Sequence, residues 1–152
     1  MASTEIFVQT ENFDIGDLSE RVRANDATSG AIVTFTGIVR ELEVSDNSLD
    51  ALYLEHYPGM TEKALEKIGA QARERWELGN IIIGHRVGRL NLNENIVFVG
   101  VGSAHRVNAF EAAQFIMDYL KKDAPFWKKE ITNEGEEWVE QKKSDLDAAD
   151  NW

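Results

Sequence analysis

Residues 81–103 read IIIGHRVGRLNLNENIVFVGVGS. Two apolar, β-branched runs, Ile81–Val87 and Ile96–Ser103, flank NLNEN at 91–95, a cluster of turn-forming residues. Runs of this length bounded by turn chemistry predict two strands joined directly as an antiparallel hairpin. A doubly wound parallel sheet would need a helical crossover there instead, so the stretch points to an α+β domain. Working outward, Leu65, Ile68, Ala72 and Trp76 recur at helical spacing after the strand breaker Pro58-Gly59, with Thr61 as the expected N-cap. A strand is expected over 51–57, and another over Ala31–Val39, where Gly37 marks a bulge or a close backbone approach. Arg40 then opens a polar loop over 41–48. Near the start, Thr4–Gln9 alternates as a strand does, and Asp14 can cap a helix that places Leu18 and Val22 on one face. Downstream, a helix is expected over Val107–Lys121 with Phe110, Ala113, Met117 and Leu120 on its inner face, ended by Pro125. Phe126–Ile131 and Glu137–Glu140 read as a last pair of strands around TNEGE. The order is βαββαββαββ, a mixed and largely antiparallel arrangement.

The chain has 152 residues, 43% apolar and 28% charged, long enough for one domain with a true core. With no cysteine it has no disulfide, no thiolate metal site and no cysteine nucleophile. A net charge of −11 argues against a general nucleic-acid binder, which needs basic surface. No apolar run approaches the roughly 20 residues of a membrane helix, and the first residues lack the pattern of a signal peptide, so a soluble cytoplasmic protein is expected. From Glu134 onward seven acidic residues stand against Lys142 and Lys143. We therefore expect a single domain over 1–140 and, over 141–152, an acidic tail loosely tied to it.

Against this acidity the stretch His105–Lys129 is basic. It holds Arg106, Lys121, Lys122, Lys128 and Lys129 against Glu111, Asp118 and Asp123. Such a concentration suggests an anionic ligand, although lysines near a helix C-terminus also complement its dipole. His105-Arg106 falls where a strand gives way to a helix, a junction whose N–H groups favour an anion. Together with Arg40 and one or both of Lys121 and Lys128, these residues form a candidate anion site. His56 and His85 lie in strands with no partner at metal-ligand spacing, so no metal and no resident cofactor are expected. Phosphate-loop, dinucleotide-binding, zinc-protease and nucleophile-elbow signatures are all missing from the chain. A non-catalytic dimeric module binding a phosphorylated metabolite through the same basic cluster remains an alternative to an enzyme.

Six blocks resemble one family. VTFTGIVR (Val33–Arg40), LEHYPGMTEKAL (Leu54–Leu65), HRVG (His85–Gly88), VFVGVGSAHR (Val97–Arg106), AFEAAQFIMDYLK (Ala109–Lys121) and APFWKKE (Ala124–Glu130) are similar to the large, catalytic subunits of molybdopterin synthase, the MoaE family. The resemblance implies an α/β hammerhead-type fold and a homodimer that becomes a heterotetramer with two small ubiquitin-like sulfur-carrier subunits. It implies conversion of cyclic pyranopterin monophosphate to molybdopterin. The two dithiolene sulfurs would arrive as a thiocarboxylate on the carrier's C-terminal glycine, which suits a sulfur transferase without cysteine. Lys121 and Lys128 are the implied catalytic residues. Substrate contacts fall on Ile38, Val39, Arg40, His105, Arg106, Lys121, Lys128, Lys129 and Glu130, and the carrier-tail channel on Phe35, Met117 and Pro125. Some family members carry a lysine where this chain has Ile38, leaving that position only backbone contacts here. The resemblance also implies a pocket completed across the dimer, with His105 and Arg106 serving the partner's site.

Overall fold

The computed structural model describes residues 2–41, 49–139 and 143–152. The elements run β1 (Thr4–Gln9), α1 (Ile15–Arg23), β2 (Ala31–Ile38), β3 (Leu49–His56), α2 (Met60–Arg75), β4 (Ile81–Arg86), β5 (Gly88–Asn91), β6 (Asn95–Ser103), α3 (Arg106–Asp123), β7 (Phe126–Thr132), β8 (Gly135–Val139) and α4 (Lys143–Ala149). They form two four-stranded sheets, one ordered β1-β4-β6-β2 and the other β5-β3-β7-β8. Every pairing is antiparallel except β1 with β4. This is the α+β architecture expected from the hairpin.

That hairpin holds, with Ile81 opposite Val101 and His85 opposite Val97. Its connection carries one element that the periodicity does not reveal. Gly88–Asn91 leaves the first sheet and pairs with β3 of the second, Leu90 opposite Leu52. Gly88, at φ +83°, makes the change of direction in a backbone region that a side chain would oppose. The turn NLNEN is then closed by Glu94, whose carboxylate accepts from the Asn91 N–H at 3.0 Å and from the Arg86 guanidinium at 3.2 Å.

Alternation along β4 sorts its side chains to two layers. Ile81 and Ile83 face α2 and α3, joining Leu65, Ile68, Ala72, Val99, Val101, Phe115, Ile116 and Leu120 in the main core. Ile82 faces the other way, with Phe98, Leu18 and Val22 under α1. Gly84 shares that second face, where a Cβ would overlap the ring of Phe7. A smaller core joins the sheets, made by Val39, Leu49, Leu52, Leu54 and Leu90. Full burial of each such aliphatic side chain contributes about 1.5–3 kcal/mol, so these layers fix how the sheets meet.

Three local expectations need correction. Thr61 is not the N-cap of α2. Gly59 is, its N–H donating to Glu62 Oε2 at 2.6 Å, while the Thr61 hydroxyl donates back to the Tyr57 carbonyl at 2.9 Å from inside the helix. Phe110 is not on the inner face of α3 but 61% exposed, the stripe being set by Ala109, Ala112, Ala113, Phe115, Ile116 and Leu120. Residues 143–152 are not loosely tied either. α4 packs on α3 with Ala149 buried, and Trp152 sits edge-on to Trp76 and Phe115 with both centroids at 5.7 Å. Charge-rich composition hid that anchor, which consists of a few apolar residues spaced among acids. The polar loop from residue 42 to 48 and the domain boundary at 140/141 lie outside the described residues.

Candidate functional site

Register decides which predicted residues can meet. In the first sheet β2 and β6 run antiparallel, Ala31 opposite Ser103 and Ile38 opposite Asn95. His105 and Arg106, which follow β6, therefore leave at the Ala31 end. Arg40, which follows β2, leaves at the other, about 23 Å away for seven strand residues. α3 then runs from Arg106 to Asp123, so Lys121 stands about 22 Å along the helix from Arg106. A single anion site containing Arg40, His105, Arg106 and Lys121 is thus not formed within one chain. The sequence places these cations close together only in order, and the length of α3 separates them.

What the fold does bring together lies at the Arg40 end. His85 on β4 faces the same layer as Ile81 and Ile83, the side of the sheet on which α3 packs. Its imidazole stacks on Phe126, centroids 3.8 Å apart and planes 19° from parallel. Phe126 opens β7 opposite His56, and Lys128, two residues on, shares that face opposite Leu54. The connection Ala124-Pro125-Phe126 is tight, with the Phe126 N–H donating to the Ala124 carbonyl at 2.9 Å. Lys121 and Lys128 thus flank one short turn, which rests on His85. Lys121 is exposed and Lys128 half-buried. Gly37 lies two strands from His85 through Val97, so the end of β2 is about 10 Å to the side.

The electrostatics centre on His85, which is 6% exposed. Burial pushes it down to about 4, and the positive Lys121 and the neighbouring His56 add to that effect. A contact of 2.8 Å between Nδ1 and the Arg86 carbonyl opposes it. Arg86, next along, faces the α1 side. It donates to the Thr10 carbonyl at 2.7 and 3.1 Å and to the Asn95 carbonyl at 3.2 Å, besides pairing with Glu94. Its charge is used in closing the hairpin.

The other predicted residues are placed as follows. Ile38 is exposed and Val39 buried in the smaller core, its N–H donating to the Glu94 carbonyl at 3.0 Å. Lys129 alternates to the opposite face of β7 from Lys128, paired with Glu136 at 3.0 Å and set over the rings of Tyr53 and Trp138. Glu130 returns to the Lys128 face opposite Leu52. Met117 packs against the main core one turn before Lys121, and Pro125 is half-buried with its carbonyl 3.5 Å from the Thr61 hydroxyl. Phe35, on the edge strand β2, is 43% exposed. An open hollow of about 600 Å³ between Thr28-Ser29 and the end of α2 holds none of these residues. No group of three or more His, Asp or Glu among the described residues is placed to hold a metal ion. Sequence reasoning passed over His85 and Phe126. The detectable signal was a histidine continuing the apolar alternation Ile81-Ile83.

The chain is thus a two-sheet α+β domain in which two lysines flank a short turn over a buried histidine. The MoaE protein family matches residues 8–123. The molybdopterin synthase catalytic subunit of Escherichia coli (strain K12) is 55% identical over 152 residues, covering all of both chains. Among solved structures, a molybdopterin biosynthesis MoaE protein from Burkholderia ambifaria superposes with a TM-score of 0.83 at 46% identity, covering 100% of this chain and 98% of that one. A molybdopterin synthase from Staphylococcus aureus superposes with a TM-score of 0.81 at 32% identity, over 88% of this chain and 95% of that one. The chain belongs to the MoaE family, the catalytic subunits of molybdopterin synthase, and is an enzyme of molybdopterin biosynthesis. No helix among the described residues is long and apolar enough to cross a membrane.

Proposed function

We propose that the chain transfers sulfur to cyclic pyranopterin monophosphate, making the dithiolene of molybdopterin from thiocarboxylate delivered on the C-terminal glycine of a small ubiquitin-like carrier. The observation that supports this most is the pairing of Lys121 and Lys128 across one turn, at the sheet end that also carries Arg40. Two cations there suit a substrate phosphate and a carrier thiocarboxylate arriving together. In each transfer the thiocarboxylate sulfur bonds to a side-chain carbon of the pterin as a carbon–oxygen bond at that carbon breaks, the oxygen leaving with a proton or as phosphate, and water then cleaves the resulting acyl thioester, leaving the sulfur on the pterin and freeing the carrier carboxylate. Lys121 handles the protons of these steps, being the more exposed lysine at the helix end. Lys128, held on a strand face beside Leu54, supplies fixed positive charge.

The carrier tail reaches the lysines along Phe35, Met117 and Pro125, where glycines pass without side-chain clashes. His105 and Arg106 act in the second site of a homodimer, which binds two carriers as a heterotetramer in the cytoplasm. The test is reconstitution: purified chain, cyclic pyranopterin monophosphate and thiocarboxylated carrier, with molybdopterin measured as its fluorescent oxidation product. Product in proportion to carrier consumed supports the reading. Tight substrate binding without any product would instead leave a binding module.

A further inference from the structure

We infer that Glu94 is a positioning residue for Arg40: by closing the hairpin turn it lets that turn hold Val39 from both sides, and so fixes where Arg40 leaves the sheet. The inference rests on the proposed function in one respect, that Arg40 meets the phosphate of the pterin. The path between the two residues is continuous. β2 changes register between Gly37 and Ile38, and Ile38 is the last residue it pairs with β6. Beyond it, the turn takes both main-chain groups of Val39. Its N–H donates to the Glu94 carbonyl at 3.0 Å, and its carbonyl accepts from the Asn93 N–H at 2.8 Å. The Val39 side chain is 2% exposed and packs among Leu49, Leu52, Leu54 and Leu90. Arg40, the next residue, is exposed, so where its guanidinium stands depends first on the backbone that delivers it.

The Glu94 carboxylate holds the turn in shape. Its Oε1 accepts from the Asn91 N–H at 3.0 Å and from Arg86 Nη1 at 3.2 Å, while the Glu94 N–H donates to the Asn91 carbonyl at 3.1 Å. Asn93, at φ +67°, occupies the left-handed region that asparagine tolerates better than most residues. Arg86 is 5% exposed and bound to the Thr10 and Asn95 carbonyls, which makes it a fixed anchor on β4. Its bond to the carboxylate is charge-assisted and stronger than a neutral one. Without that carboxylate the Asn91 N–H and one Arg86 N–H lose their acceptor, and residues 91–95 are free to sample other turn conformations. The two bonds to Val39 then loosen as well. An arginine already held in place by the fold binds phosphate more tightly than one ordered only when the ligand arrives, because less conformational freedom is lost on binding. Glu94 thus acts through the turn and Val39 rather than by touching the substrate.

Calorimetry with cyclic pyranopterin monophosphate on the full-length chain tests this. Arg40→Ala should raise Kd about thirtyfold, and Glu94→Ala, with Arg40 intact, about tenfold. In the Arg40→Ala background Glu94→Ala should add less than about twofold, since the two act on one contact. Glu94→Gln keeps an acceptor oxygen for Asn91 and Arg86 and should regain most of the loss. Affinity for the carrier should stay parental throughout. Hydrogen exchange reads the grip on Val39 directly. The Val39 and Asn93 amides should be protected in the parent and exchange about tenfold faster in Glu94→Ala, with the Ile83 amide in the main core changing far less. If Glu94→Ala is too unstable to assay, Glu94→Asp, too short to reach both donors, takes its place under the same expectations. Additive effects of the two substitutions, parental pterin affinity in Glu94→Ala, an equal loss of carrier affinity, or unprotected Val39 and Asn93 amides in the parent would each overturn the inference. Pterin bound by the parent without formation of molybdopterin would remove the sulfur-transfer reading and leave the inference standing, whereas no pterin binding at all would remove both.

Discussion

At the residue scale, His85 ties stability to pH in a direction that can be worked out. Its folded-state value near 4 lies below the ordinary 6.5, so between the two the unfolded chain binds a proton that the folded chain does not. Stability is therefore complete above pH 6.5 and is lost as pH falls toward 4, by about 2 kcal/mol between pH 7 and 4.5. Urea denaturation at those two pH values should show this loss in the parent and a smaller one in His85→Phe. Glu94 contributes in the same direction at lower pH, because the Asn91 N–H and then the Arg86 guanidinium hold its carboxyl below the usual range. The two lysines separate by chemistry rather than by position. Lys121→Ala should lose on the order of 10²–10⁴-fold in turnover if the ammonium exchanges protons. Lys121→Arg should not recover it, since arginine keeps its charge throughout. At Lys128, whose proposed role asks only for positive charge, arginine should restore part of what alanine removes. Parental turnover in Lys121→Arg would reduce both lysines to anion anchors.

At the scale of elements, Trp152 shows how much a short anchored segment can hold. Its indole N–H donates to Asp118 at 2.6 Å, its carbonyl accepts from Arg75 at 2.6 Å, and its ring meets Trp76 and Phe115 edge-on. Removing the ring contacts and the indole hydrogen bond in Trp152→Ala, which leaves the main-chain carbonyl in place, should cost about 2 kcal/mol, read as a lower urea midpoint at unchanged m-value. A midpoint equal to the parent's would mean that α4 packs without contributing. The same element shows where sequence reading stops. Strongly periodic segments were legible: the apolar stripe of α2, the two strands of the hairpin and the boundaries of α3 all follow from spacing and turn residues. α4 and β5 were not, since each is short and its fit depends on a tertiary partner, Trp76 for one and Leu52 for the other. Of the site, Lys121 and Lys128 stood out as charge in an acidic chain. His85 did not, because what distinguishes it is a stack on Phe126, 41 residues away in sequence, which no local pattern encodes.

At the scale of the whole molecule, the separation of the basic residues is a distance that the proposed homodimer would bridge. Arg106 lies about 22 Å along α3 from Lys121, and no bending of a helix anchored by Ala112, Phe115 and Ile116 brings them together. β2 is an edge strand, and Phe35 and Ile38 on it are exposed, as are Val107 and Phe110 on the first turns of α3. An uncovered sheet edge beside exposed apolar side chains is a surface that soluble proteins ordinarily cover. In the proposed homodimer, two-fold symmetry makes each interface residue serve twice, so Arg106 of one protomer can complete the site that holds Lys121 of the partner subunit. That arrangement has a consequence that a single-chain site lacks. Arg106→Ala and Lys121→Ala should each be nearly inactive alone, since each spoils both sites of its own dimer. Unfolded together and refolded as a mixture, half of the dimers carry one of each chain. In such a dimer one site receives both substitutions and the other receives neither. The mixture should therefore recover about a quarter of parental turnover. Mixing without exchange of subunits should recover nothing, which controls for simple addition. A refolded mixture no more active than its components would place Arg106 and Lys121 in unrelated roles.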